Sequence, residues 1–544
     1  MVNRVLSGGV RGIGSFPVYV ETDISNGMPM FELVGYLGSE VKEARERVRT
    51  ALKNNGFALP LAHITVNLAP ADLRKSGTGF DLPIAVCVLM CMGVIPGETV
   101  ENTLVVGEMM LSGEITATKG ILPMILMAKS LGVERCVIPK ANINEGSLVE
   151  GIDVYGVENI KEVIDFFDGE HCPLRAIPIL SEALSKTRLY QYDFSDVRGQ
   201  LLARRGAEIA AAGLHNLLMT GPPGSGKTMI AKCIPSILPP LNEDECLEVS
   251  SIYSVKGALS GELPLITSRP FITLHHTSTD ISLIGGGSIP HPGAVSLAHK
   301  GVLFMDELPE FSRSALESLR QPLEDKEVII TRAREICAFP SDFMLVAAMN
   351  PCPCGHYPDR NKCNCTESAR EKYVSKISGP LLDRIDICIS AKKVTLTELI
   401  KKAGVNGDDC GDGAPVSNAV NAVNAANAAN AANAARGLHN ISKAESSATI
   451  RKRVIAAHEI QKKRFCGTDI LFNSQMNNRQ IEEFCKLGET EIKLVSSLAE
   501  KNDISARSYY RILRVARTIA DLAGDDNIRE EHLLEAFRLK MNFR

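Results

Sequence analysis

A glycine-rich segment between an apolar strand and an apolar-periodic helix constrains this chain more than any other feature. In LLMTGPPGSGKTMIAKCI, an apolar run ends at Thr220, the pattern GxxxxGK[ST] covers Gly221–Thr228, and a helix-like repeat follows. In this context the glycines let backbone N–H groups converge on phosphate at the start of the helix. The segment therefore predicts a site for nucleotide phosphates within an α/β fold.

The predicted phosphate loop divides into backbone donors and two side chains with separate roles. Its residues are Gly221, Pro222, Pro223, Gly224, Ser225, Gly226, Lys227 and Thr228. Lys227 is predicted to reach the β- and γ-phosphates of ATP, and the Thr228 hydroxyl is predicted to ligate Mg²⁺.

A second apolar run, GVLFM, ends in two carboxylates, Asp306 and Glu307. Asp306 is predicted to hold Mg²⁺, directly or through water, and Glu307 is predicted to polarise the attacking water as general base. Acidic residues are common at strand ends, so this interpretation depends on the phosphate loop upstream.

Two further residues complete the predicted site. Asn350 ends the apolar strand DFMLVAAMN, where a polar side chain would contact the γ-phosphate or the attacking water. Arg384 precedes another apolar strand in SGPLLDRIDICIS, the setting of an arginine that acts in the site of a neighbouring subunit. The alternative for Arg384 is a local salt bridge with Asp383 or Asp386.

Composition places the chain among ordinary globular proteins. It has 544 residues, 45% hydrophobic content and a formal net charge of −4, so the total charge does not indicate nucleic acid. The longest apolar run, Ile84–Ile95, is too short to cross a bilayer and is predicted to be a buried helix. No signal-peptide pattern begins the chain, and fifteen scattered cysteines favour free thiols. We therefore expect a cytoplasmic protein without membrane contact.

Alternation of strand-like and helix-like patterns divides the chain into segments. The prediction is an α+β domain at 1–168, a linker at 169–196, an α/β ATPase core at 197–392, a low-complexity insert at 404–436 and an all-α domain at 441–544. The insert repeats Asn every third residue, which matches neither a helix face nor a strand, and we assign it no chemistry.

The core contains one dense group of cysteines, in MNPCPCGHYPDRNKCNC. Its members are Cys352, Cys354, Cys363 and Cys365. Four thiolates could close a tetrahedral structural Zn²⁺ site, and the metal would contribute folding energy that the polar loop lacks. His356 could replace one thiol. The CxC spacing leaves the two thiolates of a pair less room than CxxC would, so redox-active or unliganded thiols remain the alternative.

Six motifs follow one another along the chain: the phosphate loop, HHTSTDISLIGGG, LAHKGVLFMDELPEF, QPLED, AAMNPCPCG and SGPLLDRID. In this order they resemble the magnesium-chelatase-like AAA+ ATPases of the ComM/YifB type. The resemblance covers nearly the whole chain. It implies a P-loop ATPase core with a C-terminal all-α lid, and a hexameric ring that drives DNA branch migration during natural transformation. It also implies a lid arginine, Arg507, at the nucleotide, with Arg511 and Arg514 as neighbours. One departure is RPFITLHH, where such proteins usually read RPFRxPHH.

The segment EVIITRAREICAFP predicts a β-hairpin with a charged tip. Hairpins at this position in related MCM-type helicase rings enter the pore, so the resemblance implies a DNA phosphate contact for Arg332. The loop His275–Gly287 would be a second pore element, and the lid runs Arg451–Arg453 and Lys462–Arg464 add positive charge. A solvated tip or helix face is the alternative for each. No base-reading element is evident, so DNA binding should be nonspecific in sequence and strongly salt-dependent.

The N-terminal segment contains DLRKSGTGFDLPIAVCVLM followed by GEITATKGILPMILMAKSLGVERCVIPKAN. In outline these stretches resemble the protease domain of Lon, which implies an S5 domain 2-like fold. Such proteases need a serine activated by a lysine. Gly79 stands where the serine would fall and Leu122 where the lysine would fall, so we interpret the domain as catalytically inactive. The rival functions are a magnesium-chelatase motor subunit, against which the absence of a DxSxS motif argues, and an ATP-dependent Lon-like protease.

Overall fold

The structure is a computed structural model of the chain. It describes residues 3–185, 190–259, 264–287, 289–332, 335–392, 445–502 and 504–541. The insert predicted at 404–436 lies outside these residues. The described parts contain two large sheets, one in the N-terminal segment and one in the middle segment, followed by helices.

The N-terminal segment is built on a mixed sheet of eight strands. Its strands and a small separate ribbon are β1 (Asn3–Arg11), β2 (Gly14–Ser25), β3 (Met30–Val34), β4 (His63–Ala69), β5 (Thr103–Val105), the ribbon β6 (Glu108–Met109) and β7 (Ile115–Thr116), β8 (Arg135–Pro139), β9 (Asp153–Val157) and β10 (Leu174–Arg175). The spatial order is β10-β9-β8-β5-β1-β2-β4-β3.

Helices pack against this sheet. They are α1 (Ser39–Asn54), α2 (Asp81–Cys91), α3 (Gly97–Val100), α4 (Ile121–Ser130), α5 (Ile143–Gly146), α6 (Ile160–Phe167) and α7 (Leu180–Ser185), with a 3-10 turn at Lys140–Asn142. Every residue of α2 from Asp81 to Met90 is buried, which confirms the predicted buried helix. Within the described ranges, no helix combines the length and hydropathy needed to cross a bilayer.

The middle segment contains a five-stranded parallel sheet that confirms the predicted α/β core. Its strands and two hairpins are β11 (Leu217–Thr220), β12 (Phe271–Leu274), the hairpin β13 (Gly285–Gly286) and β14 (His291–Pro292), β15 (Val302–Met305), the hairpin β16 (Glu327–Arg332) and β17 (Glu335–Pro340), β18 (Met344–Met349) and β19 (Ile387–Ser390). The sheet order is β12-β15-β18-β11-β19.

Helices cover both faces of this sheet, and every residue of β15 and β18 is buried, as is typical of parallel sheets. The helices are α8 (Leu201–Gly213), α9 (Lys227–Ile237), α10 (Glu243–Lys256), α11 (Asp280–Ile284), α12 (Ala294–Leu297), α13 (Arg313–Ser318), α14 (Arg320–Asp325), α15 (Glu367–Val374) and α16 (Gly379–Leu382), with 3-10 turns at Phe194–Asp196 and Leu308–Glu310.

Parallel pairing gives the core sheet two chemically distinct edges. The loops after β11, β15 and β18 leave from the edge formed by the carboxyl ends of the strands, where ligands bind in open parallel sheets. The residues that precede β11 and β19 lie at the opposite edge, where the Asp386 and Ile387 N–H groups donate to Asn216 O, each at 3.1 Å. A four-residue strand separates the two edges by about 13 Å.

The C-terminal part is helical throughout the residues described after 444. Its elements are α17 (Ser447–Arg464), a 3-10 turn at Asn473–Gln475, α18 (Asn478–Phe484), α19 (Glu489–Lys501), α20 (Ala506–Ala523) and α21 (Glu530–Met541). Side chains such as Ile450 and Val454 share one apolar cluster with Ile387 of the core sheet. The buried Gln461 amide donates to Ala212 O at 2.9 Å, which fixes α17 on α8.

The N-terminal segment contacts the middle segment through the β1–β2 turn and through the start of α4. Arg11 Nη2 donates to Ile336 O of the predicted hairpin at 3.3 Å. The Gly120 N–H donates to Ser254 O of α10 at 3.1 Å. These contacts fix the N-terminal sheet against the middle segment.

Candidate nucleotide site

The phosphate loop leaves β11 at Thr220 and enters α9 at Lys227, the predicted strand–loop–helix arrangement. Gly226 has φ +82°, a left-handed backbone that residues with a Cβ rarely adopt. A turn of this kind directs the first N–H groups of α9 to the same point, and the helix dipole favours an anion there. The loop is therefore built to receive phosphate.

Lys227 is buried beneath this loop. Its Nζ donates to Gly221 O at 2.7 Å, to Pro222 O at 3.1 Å and to Asn350 Oδ1 at 3.4 Å. Burial lowers the pKa of Lys227, and the carboxylates of Asp306 and Glu307 oppose that shift. The structure thus brings together the predicted lysine and the predicted polar residue at the end of β18.

Thr228 and Asp306 meet beside the lysine. The Thr228 hydroxyl donates to Asp306 Oδ2 at 2.9 Å. A hydroxyl and a carboxylate oxygen are the hard ligands that Mg²⁺ takes in sites of this kind, usually together with water and phosphate oxygens. These two side chains fit a magnesium ion bound between the protein and a triphosphate.

Glu307 follows Asp306 in a left-handed conformation, with φ 52° and ψ 48°. Its carboxylate is half exposed, and Oε2 lies 3.4 Å from Nδ1 of His276. The sequence placed His276 in the predicted pore loop His275–Gly287 and gave it no role at the nucleotide, although β12 and β15 pair in register with Leu274 opposite Met305. Because two parallel strands end side by side, that register could have placed His276 beside Glu307.

Arg384 lies at the opposite edge of the sheet from the phosphate loop of its own chain, just before β19. It is buried and ion-paired with Glu324 at the end of α14. The alternative considered for Arg384, a local salt bridge with Asp383 or Asp386, named the wrong partner, because the ion pair is made with Glu324. Asp386 Oδ2 instead lies 3.4 Å from His215 Nδ1. Glu324 reaches Arg384 because the end of α14 lies at this edge of the sheet.

Arg507 reaches the same carboxylate, with Nη2 3.0 Å from Glu324 Oε1. The hydrogen bond from Arg384, with the charge of Arg507 nearby, lowers the pKa of Glu324. The two arginines predicted to act on nucleotide thus lie together, at the edge remote from Lys227. Glu324 is the residue that links them, and the QPLED motif in which it occurs was its only signal in the sequence.

Arg511 and Arg514 are partly buried one and two turns further along α20, where Asp386 is their common charged neighbour. Burial opposes ionisation of Asp386, but the His215 hydrogen bond and the Arg511 and Arg514 charges outweigh it and hold its pKa far below the usual range. These arginines therefore connect α20 to the core sheet.

The four cysteines of the loop after β18 converge. The sulfur of Cys352 lies 3.4 Å from that of Cys354 and 3.7 Å from that of Cys363, and the sulfurs of Cys354 and Cys363 are 3.6 Å apart. With Cys365, all four lie within 4.8 Å of one another. Tetrahedral zinc with Zn–S bonds of about 2.3 Å requires sulfurs about 3.8 Å apart. The donor set and spacing fit zinc, and the CxC spacing does not prevent chelation.

Backbone N–H groups surround these sulfurs. The Tyr357 N–H donates to Cys352 Sγ at 3.5 Å. A hydrogen bond from the backbone of His356, with the neighbouring thiols, lowers the pKa of Cys354 to about 6. The lowered pKa of Cys354 favours its thiolate, the form that binds metal. The His356 side chain is not part of the metal-capable group in the described residues.

The hairpin predicted at EVIITRAREICAFP is present, with β16 and β17 paired in register from Glu327 opposite Pro340 to Arg332 opposite Glu335. Arg332 is the last residue of β16, and residues 333–334 at the tip lie outside the described residues. The loop His275–Gly287 contains α11 and β13, and β13 pairs with β14 further along the chain.

Comparison with known families gives a consistent result along the chain. The family model for subunit ChlI of magnesium chelatase matches residues 193–399, and further models match 20–142 and, for the ChlI C-terminal region, 444–540. Competence protein ComM of Haemophilus influenzae is 38% identical over 535 residues, which cover 98% of this chain and 96% of ComM. YifB of Escherichia coli is 37% identical over 525 residues, covering 96% and 94%.

The chain belongs to the ComM/YifB family of magnesium-chelatase-like proteins. A more distant relative, the magnesium-chelatase 67 kDa subunit of Chlorobaculum parvum, is 28% identical over 160 residues, covering 29% of this chain and 23% of that protein. Membership in the ComM/YifB family identifies the chain as an AAA+ ATPase of the motor type, which accords with the P-loop and parallel sheet. In RPFITLHH, the stretch that departs from the usual RPFRxPHH, Ile272 and Leu274 lie in β12. His276, the histidine beside Glu307, is retained.

Proposed function

We propose that this protein is a cytoplasmic, ring-forming ATPase that couples ATP hydrolysis to translocation on DNA, most specifically to the migration of branched junctions. One observation carries the proposal. The phosphate-loop residues and carboxylates lie at one edge of the core sheet, whereas Arg384 lies at the other. This placement supports an arginine supplied by a neighbouring chain, and head-to-tail contacts of this kind form a ring when their rotation closes. We propose six subunits, from the family resemblance.

In the proposed reaction, residues 221–226 and Lys227 bind the phosphates and Asn350 contacts the γ-phosphate or the attacking water. Thr228 and Asp306 would hold Mg²⁺, which neutralises charge on the phosphate oxygens. Glu307 polarises the water that attacks the γ-phosphorus, and Arg384 of the adjacent subunit stabilises charge in the transition state. Arg507, beside Arg384, would serve the same neighbouring site.

We propose division of the chain as predicted: a Lon-like N-terminal domain at 1–168, a linker at 169–196, the ATPase core at 197–392, the insert at 404–436 and a helical lid at 441–544. The proposal that the N-terminal domain is catalytically inactive has structural support. A Cβ at Gly79 would lie 2.9 Å from Thr118 Cγ2 and 3.2 Å from Val106 Cγ1, so a serine side chain has little room. Leu122 is fully buried. Casein degradation by the purified chain would restore the protease alternative.

DNA is the proposed polymer because of the hairpin that ends in Arg332 and because one full-length relative is named a competence protein. The resemblance to MCM-type rings assigns Arg332 to DNA phosphate. Binding through phosphate should weaken steeply with salt and should not depend on base sequence.

ATP hydrolysis by the assembled protein is expected to increase about tenfold when four-way or forked DNA is added at low salt, since a motor couples the two ligands. Arg332→Ala should remove most of that stimulation and reduce the salt dependence of DNA binding. Steady-state phosphate release and fluorescence anisotropy measure the two effects. Arg45→Ala, a change of an exposed arginine on α1, is the matched control.

The rival function, a motor that drives Mg²⁺ insertion into porphyrin through a partner subunit, rests on the ChlI family matches. The same experiment separates the two. If DNA does not stimulate ATP hydrolysis and junctions do not bind at low salt, the result would favour the chelatase motor.

We also propose that Cys352, Cys354, Cys363 and Cys365 hold a structural Zn²⁺. Four thiolates leave no open position on zinc, so the metal would be structural and not catalytic. The protein purified without added zinc should contain about one zinc per chain, and below about half an equivalent the site would be refuted. Cys354→Ser should lose the metal, whereas Cys466→Ser, at an exposed cysteine outside the group, should retain it. Elemental analysis by mass spectrometry decides.

A further inference from the structure

The cysteine loop lies directly against the phosphate loop. Gly355, in the turn after the first cysteine pair, has φ +79°. A Cβ added there would lie 2.8 Å from Cδ and 2.9 Å from Cγ of Pro223. Only glycine combines this backbone conformation with so close an approach, so the turn is packed on the third residue of the phosphate loop.

The same turn also lies close to Asn350, the residue that contacts Lys227. Asn350 precedes Cys352 by two positions, and its Oδ1 accepts from Lys227 Nζ at 3.4 Å. A Cβ at Gly355 would lie 3.8 Å from Asn350 Cγ. One short turn therefore packs on the phosphate loop and passes close to the side chain that accepts a hydrogen bond from its lysine.

The turn gains little support from apolar packing. Cys352 is buried, but most of the loop between the cysteine pairs is exposed, including His356 and Tyr357. Its local order includes the Gly355 N–H bond to Cys352 O at 3.0 Å and the Cys363 N–H bond to Asp359 O at 2.8 Å. A metal bridging the two cysteine pairs would add the cross-link that such a loop otherwise lacks.

We propose that Zn²⁺ on the four cysteines clamps the Gly355 turn against Pro223 and Asn350 and thereby determines the affinity of the phosphate loop for ATP. The inference rests on the zinc and nucleotide sites of the proposed function, and it assigns the metal a positioning role inside the subunit. Preorganised backbone donors bind phosphate more tightly than mobile ones, because less order is lost on binding. Releasing the clamp leaves the phosphate loop intact but less ordered.

Titration of the full-length protein with a fluorescent ATP analogue and Mg²⁺ tests the clamp. Removal of zinc with a zinc-selective chelator should weaken nucleotide binding about tenfold, and restoring Zn²⁺ should recover it. Circular dichroism should show unchanged helix content, because the helices lie outside the loop. A stripped protein that binds the analogue as tightly as the zinc-loaded protein overturns the proposal, as does a protein that never contains metal.

Gly355→Ala separates the clamp from metal binding. The new methyl group should displace Pro223 and weaken analogue binding about tenfold while all four thiols and the zinc remain. Gly467→Ala is the control, since Gly467 has φ +82° and open space around its Cβ position. If the Gly355→Ala variant retains zinc and binds the ATP analogue with unchanged affinity, the result would contradict the clamp.

The outcomes also distinguish this inference from the proposed function. Lys227→Ala should abolish analogue binding whether or not zinc is bound, and failure of that control would refute the nucleotide site itself. A wild-type protein that binds ATP in a zinc-dependent way without stimulation by DNA would refute the DNA motor and leave the clamp standing.

Discussion

Chains that carry Lys227→Ala and chains that carry Arg384→Ala are expected to be inactive separately and to recover ATP hydrolysis when mixed. Lys227 lies at the carboxyl edge of the core sheet, and Arg384 lies at the opposite edge, paired with Glu324. In a mixed ring, the intact phosphate loop of one chain meets the intact arginine of the other. Arginines acting in trans raise the turnover rate 10³–10⁵-fold, so Arg384→Ala alone should lower the rate of ATP hydrolysis about 10³-fold or more.

The variants need controls because Arg384 is buried and its loss removes an ion pair. Arg384→Ala should keep the wild-type affinity for the ATP analogue and the same ring size in light scattering. Arg320→Ala, at a more exposed arginine of α14, should hydrolyse ATP normally. If correctly assembled mixtures remain inactive, or if Arg384→Ala alone turns over at the wild-type rate, the arginine does not act between subunits.

Replacing Glu307 by Gln should slow ATP hydrolysis by about 10²–10⁴-fold while ATP binding is retained. Glutamine keeps the shape of the side chain but cannot accept the proton of the attacking water. The carboxylate is half exposed and lies 3.4 Å from His276 Nδ1, so the substitution should not disturb the core. Single-turnover hydrolysis of labelled ATP measures the chemical step apart from product release.

Glu310→Gln is the matched control, three residues along the same segment, where the carboxylate pairs with Lys376 at 3.2 Å. It should leave the single-turnover rate within about twofold of wild type, as expected for an exposed ion pair. Glu307→Gln hydrolysing at the wild-type rate would exclude this glutamate as the base, and loss of ATP binding would assign it a structural role instead.

Local patterns were sufficient to predict the middle segment. The alternation of apolar strands with helices predicted the parallel core, and the glycine pattern before Lys227 predicted where β11 ends and α9 begins. The hairpin at Glu327–Pro340 followed from two alternating strands around a charged tip. The cysteine spacing predicted a metal-capable group, although it gave no indication that Cys352 and Cys354 could bring their sulfurs to 3.4 Å.

By itself, the sequence determined the residues of the phosphate loop, the acidic pair Asp306 and Glu307 and the convergence of cysteines, because each depends on residues close together in the chain. Only the tertiary structure decided that Arg384 and Arg507 share Glu324 and that the Gly355 turn rests on Pro223. These contacts join segments that are more than fifty residues apart in the chain. Their geometry depends on sheet order and helix packing, which no local pattern of residues encodes.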